Sequence, residues 1–274
     1  MTDLPLPTSD QSLIPPMTLY VPYHSQGWHG RIANGWQALL EDMDRWLAVN
    51  PGESVVDFPS REVRRVATPA GPVYVKILRS GGDARGPHRW INNLKWYLRP
   101  SRALAILHVS QSLLAEGFVC PVPILAARYR SPAGWPTELF ISHERLGTSL
   151  AQRLSTAEDA EATRTVLAST ANELRRFHRA GFVHGDCTPY NLAFTDEGRL
   201  ILFDNDRTRR GPAWLRQHHQ ERSLANLGLR LTQLTQNPEP FQIFLDRYAD
   251  SAAEAERILS LSRKRLKSKG LDFS

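Results

Sequence analysis

Cysteine is nearly absent: Cys120 and Cys187 are the only two among 274 residues. That excludes a disulfide framework and a cysteine-built zinc site, and reduced cytosolic thiols are the simpler expectation. Long hydrophobic runs are missing as well. No stretch approaches the ~20 apolar residues that cross a bilayer. The opening MTDLPLPTSDQSLIPPMTLY has no basic start followed by an apolar run, so it does not read as a secretory signal. The expectation is a soluble chain that at most rests on a membrane surface. Acidic residues are in the minority, 28 Asp+Glu against 34 Lys+Arg, for a formal charge of +6. The excess favours an anionic partner: a nucleotide, a nucleic acid, a phospholipid surface or a phosphorylated sugar. No recognised nucleic-acid motif accompanies the charge, so that partner is not expected.

What is present is ordinary globular material, 41% hydrophobic and 23% charged, in a chain long enough for two lobes around a cleft. Residues 1–33, rich in Pro and polar residues, read as an irregular extension. NGWQALLEDMDRWLAVNPG reads as a helix capped by Asn34, with Trp36, Leu39, Leu40, Met43 and Leu47 at helical spacing and NPG as its stop. REVRRVATPAGPVYVKILR is expected to be a hairpin turning at 68–72. A helix is expected between Pro100 and Gly117, and a strand at TELFISHERL. A further helix is expected at GTSLAQRLS, and a long one over 158–180 closed by Gly181. NLAF and RLILFD form a second hairpin through Asp196–Gly198, and helices follow from about 213 to a basic end, SRKRLKSKG.

One short stretch is poor core material. HGDCTPYN (184–191) places His, Asp and Asn close together around a Pro, and DND (204–206) follows at the end of an apolar strand. Asp186 on a loop can accept a proton from a hydroxyl group. Asn191 and Asp204 can hold a divalent cation. Phosphoryl transfer from ATP asks for those parts, plus a Lys against the phosphates, and Lys76 in VYVKIL is the candidate for that Lys. Taken singly, such loop residues mostly make local turns; their conjunction favours chemistry. His184 is expected to hold the loop by bonding backbone, Cys187 to be a buried small hydrophobe, and His178 to cap or pack.

HGDCTPYN followed by LILFDND resembles the catalytic loop and metal-binding segment of the protein-kinase-like fold, in the HGD variety of small-molecule kinases. DNDR, WYLRPSRALAILHVSQSLLAEGFVCPVPIL and FHRAGFVHGD are similar to the bacterial lipopolysaccharide kinases that phosphorylate Kdo or heptose of the inner core. The resemblance covers about residues 60–232. It implies an α+β, two-lobed fold with a small β-rich N-lobe and a mainly helical C-lobe. The corresponding division is an extension with one helix over 1–50, an N-lobe over 51–145 and a C-lobe over 146–274. It implies ATP and Mg²⁺ as cofactors, bound in the cleft. Asp186 would be the base, Asn191 and Asp204 the Mg²⁺ ligands, and Lys76 the contact to the α/β-phosphates. SHERL (142–146), with Glu144, would hold the adenine by its backbone. Asp206 would support the metal or Arg207. The acceptor would be the lipopolysaccharide core or a lipid A precursor, met at the cytoplasmic face of the inner membrane by a peripherally attached protein.

Two features of the family pattern are missing. Before Lys76 the chain offers only Gly52 and Gly71 where a Gly-rich loop would stand, and Ser60, Arg61 or Arg64 are the candidates to cover the phosphates. No acidic residue lies between Asp83 and Glu116, so the Lys has no helix glutamate to pair with. The basic and aromatic run at 85–102 (Arg85, His88, Arg89, Trp90, Lys95, Trp96, Tyr97, Arg99, Arg102) reads as a solvated helix face that as a set could attract an anionic headgroup. The rivals are a kinase of another small molecule or of protein Ser/Thr, and a pseudokinase that only binds.

Overall fold

A computed structural model describes residues 18–79, 91, 98–129, 137–211 and 213–270. The chain divides into two compact units, Met1–Gly117 with Pro121–Arg145, and Phe118–Cys120 with Leu146–Ser274. The first is β-rich and the second helical, so the fold is α+β and kinase-like.

The first unit is built on seven antiparallel strands in the order β1-β2-β6-β7-β5-β4-β3. Their ranges are β1 Tyr20–Ser25, β2 Trp28–Ala33, β3 Glu53–Phe58, β4 Arg61–Val66, β5 Val73–Arg79, β6 Pro123–Tyr129 and β7 Thr137–His143. Residues 20–33, expected to be irregular, are therefore a hairpin. Its two-residue turn has both Gln26 (φ 42°) and Gly27 (φ 92°) in the left-handed region, the arrangement whose twist matches paired strands. Pro22 lies in β1 at the sheet edge, where a missing N–H costs the ladder least. The β4–β5 hairpin stands where expected, with the Gly71 N–H donated to the Thr68 carbonyl at 3.0 Å.

Helix α1 spans Met43–Val49, not the stretch from Asn34. The Asn34 N–H is donated to the Leu19 carbonyl at 2.8 Å, which extends the β1–β2 pairing through that residue. The helix starts at Asp42 instead, whose carboxylate accepts from the Arg45 N–H at 3.0 Å. Of the apolar positions at helical spacing, Trp36, Leu40 and Met43 enter the core, Leu47 packs against it partly buried, and Leu39 is exposed; Trp46, outside that spacing, is buried with them. Helix α2, Arg102–Ala115, packs on β6 and β7, and the Ser101 side chain caps it. Residues 85–90 and 95–97 of the basic and aromatic run lie outside the described residues, as do 1–17 of the extension.

The second unit carries helices α3 Leu150–Ser155, α4 Ala160–Arg179, α5 Ala213–Thr235, α6 Glu239–Tyr248 and α7 Ala252–Lys267. Leu167, Ala171, Leu174 and Phe177 recur along α4 at helical spacing and are fully buried, which is what fixes its inward face. Phe177 stacks on Phe182 (centroids 5.6 Å) and meets Phe118 edge-on at 5.5 Å. Short strands β8 Thr148–Ser149, β10 Leu192–Phe194 and β11 Leu200–Leu202 make one small sheet, and β9 Phe182–Val183 with β12 Arg209–Arg210 another. These two ribbons hold the ends of the polar loop at 184–191. Among the described residues no helix is long and apolar enough to cross a membrane.

Candidate functional site

The loop after β9 is pinned by its own histidine. His184 is fully buried. Its Nε2 lies 2.8 Å from the Phe203 carbonyl oxygen, and its Nδ1 accepts the Asp186 N–H at 3.3 Å. A carbonyl can only accept, so Nε2 carries the proton and the ring is neutral. Burial pushes its pKa down, against the pull of the Phe203 carbonyl and of Asp204 and Asp186. The Ser223 hydroxyl of α5 donates to the His184 carbonyl at 2.7 Å. His184 is therefore a staple, as its sequence context suggested.

Gly185 sits against the backbone of Arg207. A Cβ there would lie 2.4 Å from the Arg207 Cβ and 2.5 Å from its carbonyl oxygen, closer than atoms can approach. The glycine lets the loop touch the segment that carries Asp204.

Asp186 and Asn191 are hydrogen-bonded to each other, and a backbone bond from Asn191 reaches the residue before Asp204. The Asn191 amide nitrogen donates to the Asp186 carbonyl at 2.9 Å and lies 3.4 Å from the Asp186 carboxylate. That fixes the side-chain orientation, because the Asp186 carbonyl needs a donor, and it turns the Asn191 Oδ1 away as an acceptor. The Asn191 carbonyl accepts the Phe203 N–H at 2.9 Å, next to Asp204. Asp204 has φ 50° and ψ 55°, a left-handed conformation that Asp tolerates better than bulkier residues. It stands two residues beyond β11 and opens the 3₁₀ turn Asn205–Arg207.

The sequence reading passed over the residue that holds this turn. Asn205 is buried; its amide donates to the Leu202 carbonyl at 3.0 Å and its oxygen accepts the Thr208 hydroxyl at 3.0 Å. Nothing in the sequence marks it, since both its burial and its bonds arise only in the folded turn. Asp206 and Arg207 follow in the same turn, half-buried and exposed.

Cys187 is fully buried, and burial pushes its thiol up to about 12, so it is no nucleophile at neutral pH. His178 packs in the core, with Nδ1 at 2.7 Å from the Tyr248 hydroxyl; burial, with a smaller contribution from His184, takes its pKa down to about 3.

The other predicted residues lie in the first unit. Lys76 is on the interior strand β5, half-buried, in register with Phe140 of β7 and Val63 of β4. Glu144 follows β7. Its carboxylate grips the Arg65 guanidinium through two bonds, 2.6 and 3.0 Å, and that pairing holds its pKa below the usual carboxylate range. Its N–H is donated to the Pro72 carbonyl at 3.0 Å, and the His143 N–H to the Val122 carbonyl at 2.9 Å. Where a Gly-rich loop was missing, β3 and β4 form a hairpin turning at Pro59–Ser60. The Ser60 carbonyl accepts the Arg79 N–H at 3.0 Å, and Arg64 is paired with Glu62.

The candidate cation donors, Asn191 and Asp204, offer an amide oxygen and a carboxylate. Such oxygen donors suit a hard cation like Mg²⁺, which keeps several waters and takes few protein ligands. Among the described residues no cluster of three or more His, Cys, Asp or Glu suggests a metal of another kind.

The family model described as Lipopolysaccharide kinase (Kdo/WaaP) family matches residues 74–248, more than half of the chain. Comparison with curated proteins gives no match.

Proposed function

The chain belongs to the lipopolysaccharide kinase (Kdo/WaaP) family, and from that premise we propose that it transfers the γ-phosphoryl group of ATP to a sugar hydroxyl, of Kdo or heptose, in the lipopolysaccharide core. The observation that supports the reading is the hydrogen bonding of Asn191 to Asp186, with Asp204 next to Phe203, whose N–H the Asn191 carbonyl accepts. A carboxylate that shares its loop with cation ligands suits abstraction of an alcohol proton while phosphate charge is neutralised.

Asp186 takes the proton of the attacking hydroxyl at its carboxylate. The Asn191 amide, bonded to the Asp186 backbone, sets the direction of that carboxylate. Asn191 Oδ1 and Asp204 hold Mg²⁺, which when bound shields the phosphate oxygens. Lys76 meets the α/β-phosphates as a point charge. The adenine is met by backbone of 142–146, through groups other than the Glu144 N–H, which the Pro72 carbonyl already takes. Ser60 and Arg61, at the turn of the β3–β4 hairpin, cover the phosphates. Arg64 is the weaker candidate because Glu62 engages it.

The acceptor is anionic and membrane-anchored, which fits the formal charge of +6 and the basic last turn of α7, with Lys264, Arg265 and Lys267. Contact is peripheral, at the cytoplasmic face of the inner membrane. Purified protein with ATP, Mg²⁺ and a Kdo- or heptose-containing lipid A precursor incorporates phosphate. Asp186→Asn lowers that rate on the order of 10²–10⁴-fold with the thermal transition unchanged. A soluble alcohol used as well as the lipid overturns the acceptor assignment.

A further inference from the structure

The β1–β2 hairpin carries two histidines opposite one another. His24 and His29 are register partners, the second pair from the Gln26–Gly27 turn, and both are exposed. In a hairpin closed by a two-residue turn, that second pair is of the non-hydrogen-bonded kind, whose side chains stand closest. Here the ring centroids are 5.1 Å apart with the planes at 73°, and the two Nδ1 atoms lie 2.9 Å from each other.

A contact of that length joins two rings in different tautomers: one Nδ1 donates its proton and the other accepts it with a lone pair. Among the described residues neither ring is engaged by any other side chain or by backbone. The nearby cations are occupied elsewhere. Arg128 faces His29 across β2 and β6, but the fully buried Glu138 neutralises it. Arg31, two residues along from His29, is directed to the Tyr20 carbonyl at the far end of β1, to which it donates at 3.4 Å.

We propose that His24 and His29 chelate one divalent transition-metal ion of tetragonal preference, Cu²⁺ or Ni²⁺, through their two Nδ1 atoms. With metal–nitrogen bonds of about 2.0–2.1 Å, nitrogens 2.9 Å apart subtend about 90° at the ion, the cis angle of a square-planar or octahedral centre. A tetrahedral zinc site would spread the same two nitrogens to about 3.3 Å. The donor ring moves its proton from Nδ1 to Nε2, so both Nδ1 lone pairs become available and no proton is gained or lost. Being exposed, the rings need only turn about their side-chain bonds to converge on the ion, while the paired strands hold their spacing. No third His, Cys, Asp or Glu joins them among the described residues, so water fills the remaining positions. The bound ion staples the edge hairpin of the seven-stranded sheet. Its nitrogen donors set the site apart from the oxygen donors at Asn191 and Asp204. It stands whether or not the phosphoryl-transfer reading does.

Ni²⁺ is the probe, titrated calorimetrically into the full chain without an affinity tag and with Mg²⁺ in excess, so that the oxygen donors are already engaged. One ion is expected to bind to the hairpin, with a rise in the thermal transition, because the paired strands hold it more tightly than the unfolded chain does. His24→Ala and His29→Ala should each weaken that binding on the order of tenfold or more, since either loss breaks the chelate. Both positions are exposed, so the metal-free thermal transition should stay where it is. His218→Ala, at an exposed position on α5, should leave binding as it was. Equal loss in the two hairpin variants, with His218→Ala unaffected, supports the chelate. Binding that survives both hairpin substitutions, that is lost on only one of them, that falls equally in His218→Ala, or that the parent protein does not show overturns the proposal.

Discussion

Gly185 and Cys187 bracket Asp186, and each is fixed by what surrounds it. Alanine at 185 would force its Cβ against the Arg207 backbone, which is not the yielding end of a flexible side chain. The loop or the turn must move. Gly185→Ala is expected to cost about 1–3 kcal/mol, read as a fall of several degrees in the thermal transition, and to depress phosphoryl transfer by more than that loss of folded protein explains. An unchanged transition would show that Arg207 gives way freely. Cys187 and Cys120 are both buried, and the Cys187 thiol is pushed up to about 12. Iodoacetamide at pH 8 should therefore leave the native protein unlabelled and label both residues in urea, as mass spectrometry would read. Labelling of native Cys187 would mean that the loop opens far more than its bonds suggest.

Among the elements, the join between β7 and α2 depends on a single carboxylate. Glu138 is fully buried, with Arg128 on one oxygen and the Ala103 N–H on the other. Glu138→Gln leaves a buried guanidinium without its counter-charge, and the expected cost is about 3–5 kcal/mol, measured by urea denaturation. Replacing both partners, Arg128→Met with Glu138→Leu, should recover most of it; if the double variant is no better, the helix cap and not the charge is what matters. No sequence pattern marks Glu138 for burial, because its partner stands on another strand and only the β6–β7 register, Arg128 opposite Glu138, brings them together. The elements that were legible carry their signals locally. The β4–β5 and β10–β11 hairpins have Gly-bearing turns, and α4 has an apolar stripe with Gly181 at its end. The β1–β2 hairpin was hidden by Pro22 and by an uncommon Gln-Gly turn, and α1 was drawn too long because Trp36 and Leu40 keep helical spacing while lying in turns. At the site, Asp186, Asn191 and Asp204 stood out by residue type and order. Asn205 did not, since its work is done by two backbone-scale bonds that exist only once the turn has formed.

At the scale of the whole molecule, buried histidines set the response to acid. His178 and His184 in the helical unit and His143 at the end of β7 all have pKa values lowered chiefly by burial, to about 3 for His178. Unfolded, each returns to about 6.5. The unfolded chain then binds protons that the folded chain refuses, so stability is complete above that pH and falls as pH drops below it. Each such histidine contributes a slope of about 1.4 kcal/mol per pH unit until its folded pKa is reached. Glu144 acts later. Its pKa is depressed by Arg65, so its contribution is present above the ordinary carboxylate value of about 4.3 and is lost only below it. The urea midpoint is therefore expected to fall steadily from pH 6.5 to 5, where carboxylates scarcely titrate. His178→Phe removes one of the refused protons, and in that variant the decline between pH 6 and 5 should be shallower by about 1.4 kcal/mol per unit. An equal slope in the two proteins would mean that His178 takes up its proton in the folded state, and that the core around Tyr248 opens to water.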